Sequence, residues 1–362
     1  MNVALIFPNN LYTSPYLPYY TQILEKAGTT YDIISWNRNN REEKGTLAFS
    51  LHNKGASNFL RIFDYFKFAK FVIRTIEKNN YDKLIVFSCQ LGIYLKQYLG
   101  KNYKDKYILD IRDYSPIVPY FGNRMKNLIH NASAVSLSSE GFKTWLPEYD
   151  NYMLSHNVNK NLVNAALNSN SREKPFFQNK TIQLDTIGQI KDFDSDSKVV
   201  STLGNNPKYS LKFMGFGSTL ANLKAFVQEN GLNNVVLTGP YKKEEESELL
   251  SNTDFINILI SNNTFNNQVL SNRLYLSALL NIPCLVNDYS IEQRKIIEEY
   301  QFGIVIKEYS TIPQEIEDYI QNFESSTFTA RCQAFLKKVL NDYLFFEKTL
   351  TEFINTPNHV RR

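Results

Sequence analysis

The stretch NNQVLSNRLYLSALLNIPCLV, Asn266 to Val286, reads as two elements with a stop between them. From Val269 to Leu280 the residues are good helix formers and apolar almost all round, which predicts a buried helix. Asn281-Ile282-Pro283 breaks it, and Cys284-Leu285-Val286 resumes as the short apolar run of an interior parallel strand. A buried helix that opens with Asn267, Ser271, Asn272 and Arg273 carries an uncapped supply of donors and one positive charge at its amino end. Unpaired N–H groups and the helix dipole suit a phosphate there, and Arg273 adds a permanently charged, bidentate contact. The alternative is structural: Ser271 or Asn267 caps a core helix, and Arg273 snorkels.

Outward from that stretch, strand-like and helical runs alternate along the chain. Strands are predicted at 3–7, 31–36, 84–88, 106–111 and 134–137, with helices at 16–27, 59–78, 91–98 and 120–131 between them. The pattern dissolves over NKNLVNAALNSNSREKPFFQNK and restarts at 181–187, 210–214, 235–237, 255–260 and 303–306. At 362 residues the chain suits two cores of about 150 to 180 residues each. The division expected is a first domain 1–158, a linker 159–180, a second domain 181–327 and a helical tail 328–362 that crosses back to the first domain. The fold class is α/β, two doubly wound Rossmann-like parallel-sheet domains facing a cleft, with ligands outside the carboxyl ends of the strands.

Composition narrows the function. Forty Lys plus Arg against 36 Asp plus Glu leave +4, too small and dispersed for a nucleic-acid binder. Cys89, Cys284 and Cys332 lie far apart, so buried reduced thiols are expected, and the four histidines show no ligand spacing, so no metal is expected. MNVALIFPNN lacks a basic leader, and no long apolar run follows, which predicts a cytoplasmic protein.

Glycines recur at successive strand ends of the second half: Gly188, Gly215 with Gly217, and Gly239. Glycine lets a backbone approach a ligand closely, or simply makes a tight turn. Lys191, three residues past Gly188, could reach an oxygen anion. In the first half DIRDYSP, Asp110 to Pro116, ends a strand with two carboxylates and a guanidinium. These could orient a hydroxyl or take its proton, or brace the next loop. The loop PNNLYTSPYLPYY suits a ring-stacking wall or packing. Lys67, Lys70, Arg74 and Lys78 fall on one helical stripe beside Leu60, Phe63 and Phe71, which would suit an anionic inner-membrane surface or a solvated face.

Taken in order, IFPNN, DIRDYSP, LSSEGFKTWLP, LSHNVN, IGQIKDF, LKFMGFG, VVLTGPY and LSNRLYLSALLNIPCLV resemble bacterial GT-B glycosyltransferases. The closest group is the retaining family-four type of capsule, exopolysaccharide and O-antigen synthesis. The resemblance implies a donor site for a UDP- or GDP-linked sugar, with no further cofactor, built from Gly188, Lys191, Gly215, Gly217, Gly239, Ser271, Asn272, Arg273 and Tyr275. It implies an acceptor-side pair at Arg112 and Asp113. Gln268 and Leu276 stand where many members carry paired glutamates, and Gln189 stands where an arginine is common.

The expected reaction is metal-independent sugar transfer from the nucleotide diphospho-sugar to a hydroxyl of a lipid-linked or oligosaccharide acceptor. Arg273 would ease departure of the diphosphate, and Asp113 would orient or deprotonate the acceptor. Retention of configuration is implied by the resemblance. Two alternatives remain open, a nucleotide-sugar epimerase on the same fold and a non-catalytic sugar- or nucleotide-binding partner of a transferase.

Overall fold

The computed structural model describes residues 1–52, 58–115, 120, 122–168, 176–178 and 180–357. Parts of the expected linker (169–175, 179), Pro116 of DIRDYSP, Phe121 of the helix expected at 120–131 and the end of the tail lie outside them. The chain forms two compact units, Met1–Asn157 with Asn341–Arg362, and Val158–Leu340.

In the first unit seven parallel strands make one sheet: β1 (Asn2–Phe7), β2 (Thr30–Asn37), β3 (Thr46–Ser50), β4 (Lys83–Phe87), β5 (Tyr107–Ile111), β6 (Ala134–Leu137) and β7 (Tyr152–Leu154). Their order is β3-β2-β1-β4-β5-β6-β7. Strands β4, β5 and β6 are buried at every position, as expected of apolar runs covered on both faces. The helices are α1 (Leu17–Lys26), α2 (Asn58–Asn79), α3 (Cys89–Asn102) and α4 (Gly122–His130).

The second unit opens with α5 (Lys160–Asn168), inside the stretch read as linker; its Val163 is buried in the core and Ala166 and Leu167 pack against the same cluster, three apolar residues at i, i+3 and i+4 that dock the helix. Six parallel strands follow: β8 (Ile182–Gln189), β9 (Tyr209–Phe216), β10 (Val235–Gly239), β11 (Phe255–Asn257), β12 (Cys284–Asn287) and β13 (Gly303–Ile306), in the order β10-β9-β8-β11-β12-β13. Between them run α6 (Phe193–Leu203), α7 (Leu220–Glu229), α8 (Glu246–Leu249), α9 (Asn272–Leu280) and α10 (Ile291–Tyr300), with α11 (Ile312–Gln321) after β13.

The closing helix, α12 (Ser325–Asn355), is about 46 Å long. Phe328, Cys332, Phe335, Leu336 and Val339 from its first half belong to the core of the second unit. Phe346, Leu350, Phe353 and Ile354 from its last half belong to the core of the first. Lys83 holds that end: its buried ammonium donates to the carbonyls of Phe353, Ile354 (3.3 Å) and Thr356 (2.7 Å), and burial pulls its pKa down. Cys89, Cys284 and Cys332 are free and buried.

Candidate functional site

Open parallel sheets bind ligands beyond the strand ends where the strand order reverses. In the second unit that place lies between β8 and β11, and Arg273 occupies it. Its Nε donates to the Ile187 carbonyl at 2.6 Å and Nη2 to the Gln189 carbonyl at 2.9 Å, both on β8, while Nη1 reaches the Asn257 carbonyl on β11 at 3.4 Å. Three of the five guanidinium N–H groups are used in this way. The second N–H on each terminal nitrogen has no acceptor among the described residues. Arg273 therefore clamps the ends of two strands and keeps two donors for another oxygen.

Its electrostatic surroundings are acidic. Burial pushes the Asp196 carboxyl on α6 up to about 7, Arg273 draws it back, and Asp192 pushes it further up. Burial lowers the pKa of Arg273, against the pull of Asp196, Tyr241 and Asp192. Asp192 caps α6 through the Ser195 N–H (3.3 Å) and accepts from Ser261 N (2.7 Å), Ser261 Oγ (2.8 Å) and Asn266 Nδ2 (3.3 Å). It thereby ties the loop after β8 to the loop after β11. Asn287 at the end of β12 accepts the Ile260 N–H at 2.7 Å and holds the same loop from the other side. Neither residue was singled out in the sequence; an Asp three residues before Ser195 is the capping signal that points to Asp192.

Helix α9 begins at Asn272, not Val269, because a 3-10 turn at Asn266–Gln268 is followed by extended Val269. Nor is its amino end uncapped: Ser271 Oγ accepts the Arg273 N–H at 3.3 Å, and the Ser271 N–H goes to Gln293 Oε1 at 3.2 Å. Asn272 is exposed. Tyr275 is 2% exposed and stacks on Phe335, so it belongs to the core rather than the ligand wall. Lys191 is exposed on the loop after β8. Gln268 is buried and Leu276 packs against the core.

The glycines divide by cause. A Cβ on Gly215 (φ +145°) would stand 1.8 Å from the Gly188 carbonyl oxygen, and one on Gly217 would stand 1.9 Å from that of Ile190. These two are demanded by the approach of neighbouring chain, not by a ligand. Gly188 (φ +100°) and Gly239 (φ +81°) instead face open space, with only the Tyr241 hydroxyl near Gly188 at 3.9 Å. The backbone is open to approach at these two positions.

In the first unit Arg112 is fully employed. Nε and Nη2 grip Asp110 at 2.7 and 2.9 Å, Nη1 donates to the Ser155 carbonyl (2.7 Å) and Asn157 Oδ1 (2.8 Å), and Nη2 also reaches Ser155 Oγ at 2.8 Å. Tyr20 donates to Asp110 Oδ2, the oxygen that Nη2 also grips, and the Tyr16 ring lies 4.1 Å from the guanidinium. With every N–H taken, Arg112 braces β5 against the segment after β7, the structural one of its two readings, and keeps no donor for a ligand in this arrangement. Asp113 is exposed one residue further on, close enough to raise the pKa of Tyr16 and of Cys89 at the start of α3. The strand order of this unit reverses between β1 and β4, and Ser88 at the end of β4 holds a positive φ of 80°. Of the stretch PNNLYTSPYLPYY, Tyr12 is exposed, while Tyr20, on α1, packs in the core.

No family model matches the sequence, and no curated protein matches it. Solved structures do. A glycosyltransferase from Rickettsia africae aligns over 98% of this chain and 99% of its own with 12% identity and a TM-score of 0.64. Sucrose-phosphate synthase from Thermosynechococcus elongatus aligns over 98% and 99% with 13% identity and a TM-score of 0.67. HepE from Anabaena, solved with UDP, aligns over 97% and 100% with 11% identity and a TM-score of 0.68. The fold is that of GT-B glycosyltransferases, an α/β fold of two parallel-sheet units.

Proposed function

We propose that the protein is a glycosyltransferase that moves a sugar from a nucleotide diphospho-sugar, UDP- or GDP-linked, to a hydroxyl of a lipid-linked or oligosaccharide acceptor in bacterial surface polysaccharide synthesis. The observation that carries this reading is Arg273 laid across the ends of β8 and β11 with two donors to spare, beside the amino end of α9. That arrangement supports a diphosphate resting on the helix end and the guanidinium. The Anabaena protein of the same fold was also solved with UDP-glucose, which favours a uridine donor.

In the reaction, the two free N–H groups of Arg273 take up charge growing on the departing diphosphate. Lys191 adds an exposed cation from the loop after β8, and Gly188 and Gly239 let the nucleotide lie on the backbone. Asp113 is the acceptor-side carboxylate. Retention of configuration and independence from metal remain part of the proposal, as does work in the cytoplasm at the inner face of a membrane.

Leu276 in the core and buried Gln268 favour a second reading, nucleotide binding without transfer, since neither supplies a carboxylate for the ribose hydroxyls. The test is calorimetry and thermal unfolding with UDP, GDP and their glucose and galactose derivatives. One nucleotide is expected to raise the unfolding temperature, and Arg273→Lys, which lacks the fork but keeps the charge, is expected to bind it about tenfold more weakly. Unchanged affinity in Arg273→Lys and Arg273→Ala, with folding intact, would remove the diphosphate from this place. Binding without release of nucleotide in the presence of glycan acceptors would select the second reading.

A further inference from the structure

Helix α2 turns Tyr65, Phe68, Ala69, Val72 and Ile76 into the first unit. On its outer side, at 100° per residue, Phe63, Phe66, Lys67, Lys70, Arg74 and Lys78 fall within an arc of about 120°. Ile62 at its margin is 40% exposed, Phe63 50% and Phe66 52%. Leaving such groups in water is unfavourable, and they are gathered in the first half of the helix. The cations begin at Lys67, directly after Phe66, and continue through Lys70 and Arg74 to Lys78. Of the helix's two carboxylates, Asp64 is buried and 3.9 Å from Lys67, whose ammonium stays mostly exposed, and Glu77 is exposed among the cations. Phe71, placed beside the stripe in the sequence, is half-buried and packs on Phe49.

We propose that this outer face docks on an anionic lipid bilayer, with Ile62, Phe63 and Phe66 entering the interface and Lys67, Lys70, Arg74 and Lys78 pairing with lipid phosphates. The charge favours a bilayer over a second copy of the chain, because self-pairing of this face would bring like charges together. A protein partner's patch is apolar at its centre and polar at its rim, whereas here apolar and cationic groups follow one another along the helix. From Phe63 to Arg74 the rise is about 16 Å, so the amino end can dip while the cations stay at headgroup depth, lysine stems lying along the apolar layer. No helix among the described residues is long and apolar enough to cross a membrane, so this contact lies on the surface.

The inference needs neither donor nor acceptor, and its test uses neither. The full chain is sedimented with vesicles of phosphatidylcholine alone or with about a third phosphatidylglycerol. Binding is expected only to the anionic vesicles and weakens as salt is raised. Phe63→Ser with Phe66→Ser, and separately Lys67→Glu with Lys70→Glu, should each lower it about tenfold or more, while Lys224→Glu on the second unit leaves it unchanged. Thermal unfolding checks that each variant is folded. Undiminished binding in folded variants of both pairs overturns the proposal, as does absence of binding to the anionic vesicles. A dimer that Phe63→Ser with Phe66→Ser dissociates, with no vesicle binding, would give the face to a second copy instead.

Discussion

Replacing Asp196 by Asn should make the protein more stable at alkaline pH. The side chain is 4% exposed, and its carboxyl is pushed from 3.8 up to about 7, chiefly by burial. An unfolded chain releases this proton near 3.8 and the folded chain only near 7, so between those values the folded state holds more protons. The stability this group contributes is whole below the lower value and is lost as pH rises through the higher one. At about 1.4 kcal/mol per pH unit, some three units give about 4 kcal/mol, which relaxation and water entry reduce to about 2–4. Asp196→Asn keeps the shape and removes the charge. Urea unfolding at several pH values from about 5 to 8 should show wild-type stability falling steadily and the variant nearly flat, with the variant ahead by about 2–4 kcal/mol at the top of the range. Parallel curves, or a variant weaker than wild type near pH 8, would refute the reasoning. A diphosphate beside Arg273 would push Asp196 higher still, so nucleotide binding near neutral pH should take up a proton, and the variant should not.

Arg112→Ala should cost about 3–5 kcal/mol, because it strands buried Asp110, and Arg112→Lys should recover only part of this; denaturant unfolding measures both. Gly215→Ala should destabilise by about 3 kcal/mol, since its Cβ would meet the Gly188 carbonyl. Gly28→Ala, at φ +64° with nothing near, should cost about 1 kcal/mol, and equal losses would show that space plays no part. Lys83→Met should leave three carbonyls at the end of α12 without their donor, so that limited proteolysis cuts near residue 350 before any other site.

The alternation of strand and helix was legible because the central strands are buried on both faces and read as unbroken apolar runs, as in VALIF and LIVF. Strand β3, TLAFS, was not, since an edge strand with exposed Leu47 shows no such run. The start of α9 was misplaced because Val269 and Leu270 continue the helical pattern, while Ser271 supplies the cap that stops it. Arg273 could be named from sequence, but its clamp could not: Ile187 and Gln189 lie more than eighty residues away. The same holds for Arg112, whose employment depends on Ser155 and Asn157. Gly215 and Gly217 looked alike to Gly188 and Gly239, and only the distance to the adjacent backbone separates a packing glycine from one facing open space.

The long last helix sets an order of events during synthesis. Residues 158–340 contain everything the second unit needs, whereas the first unit lacks Phe346, Leu350 and Phe353 until the final turns of the chain emerge. The part made first is thus completed last, with its apolar face between β1 and α1 open until then. A chain cut short by some twenty residues would leave a finished second half joined to a first half that still shows bare Tyr20, Ile23 and Leu24 to its surroundings.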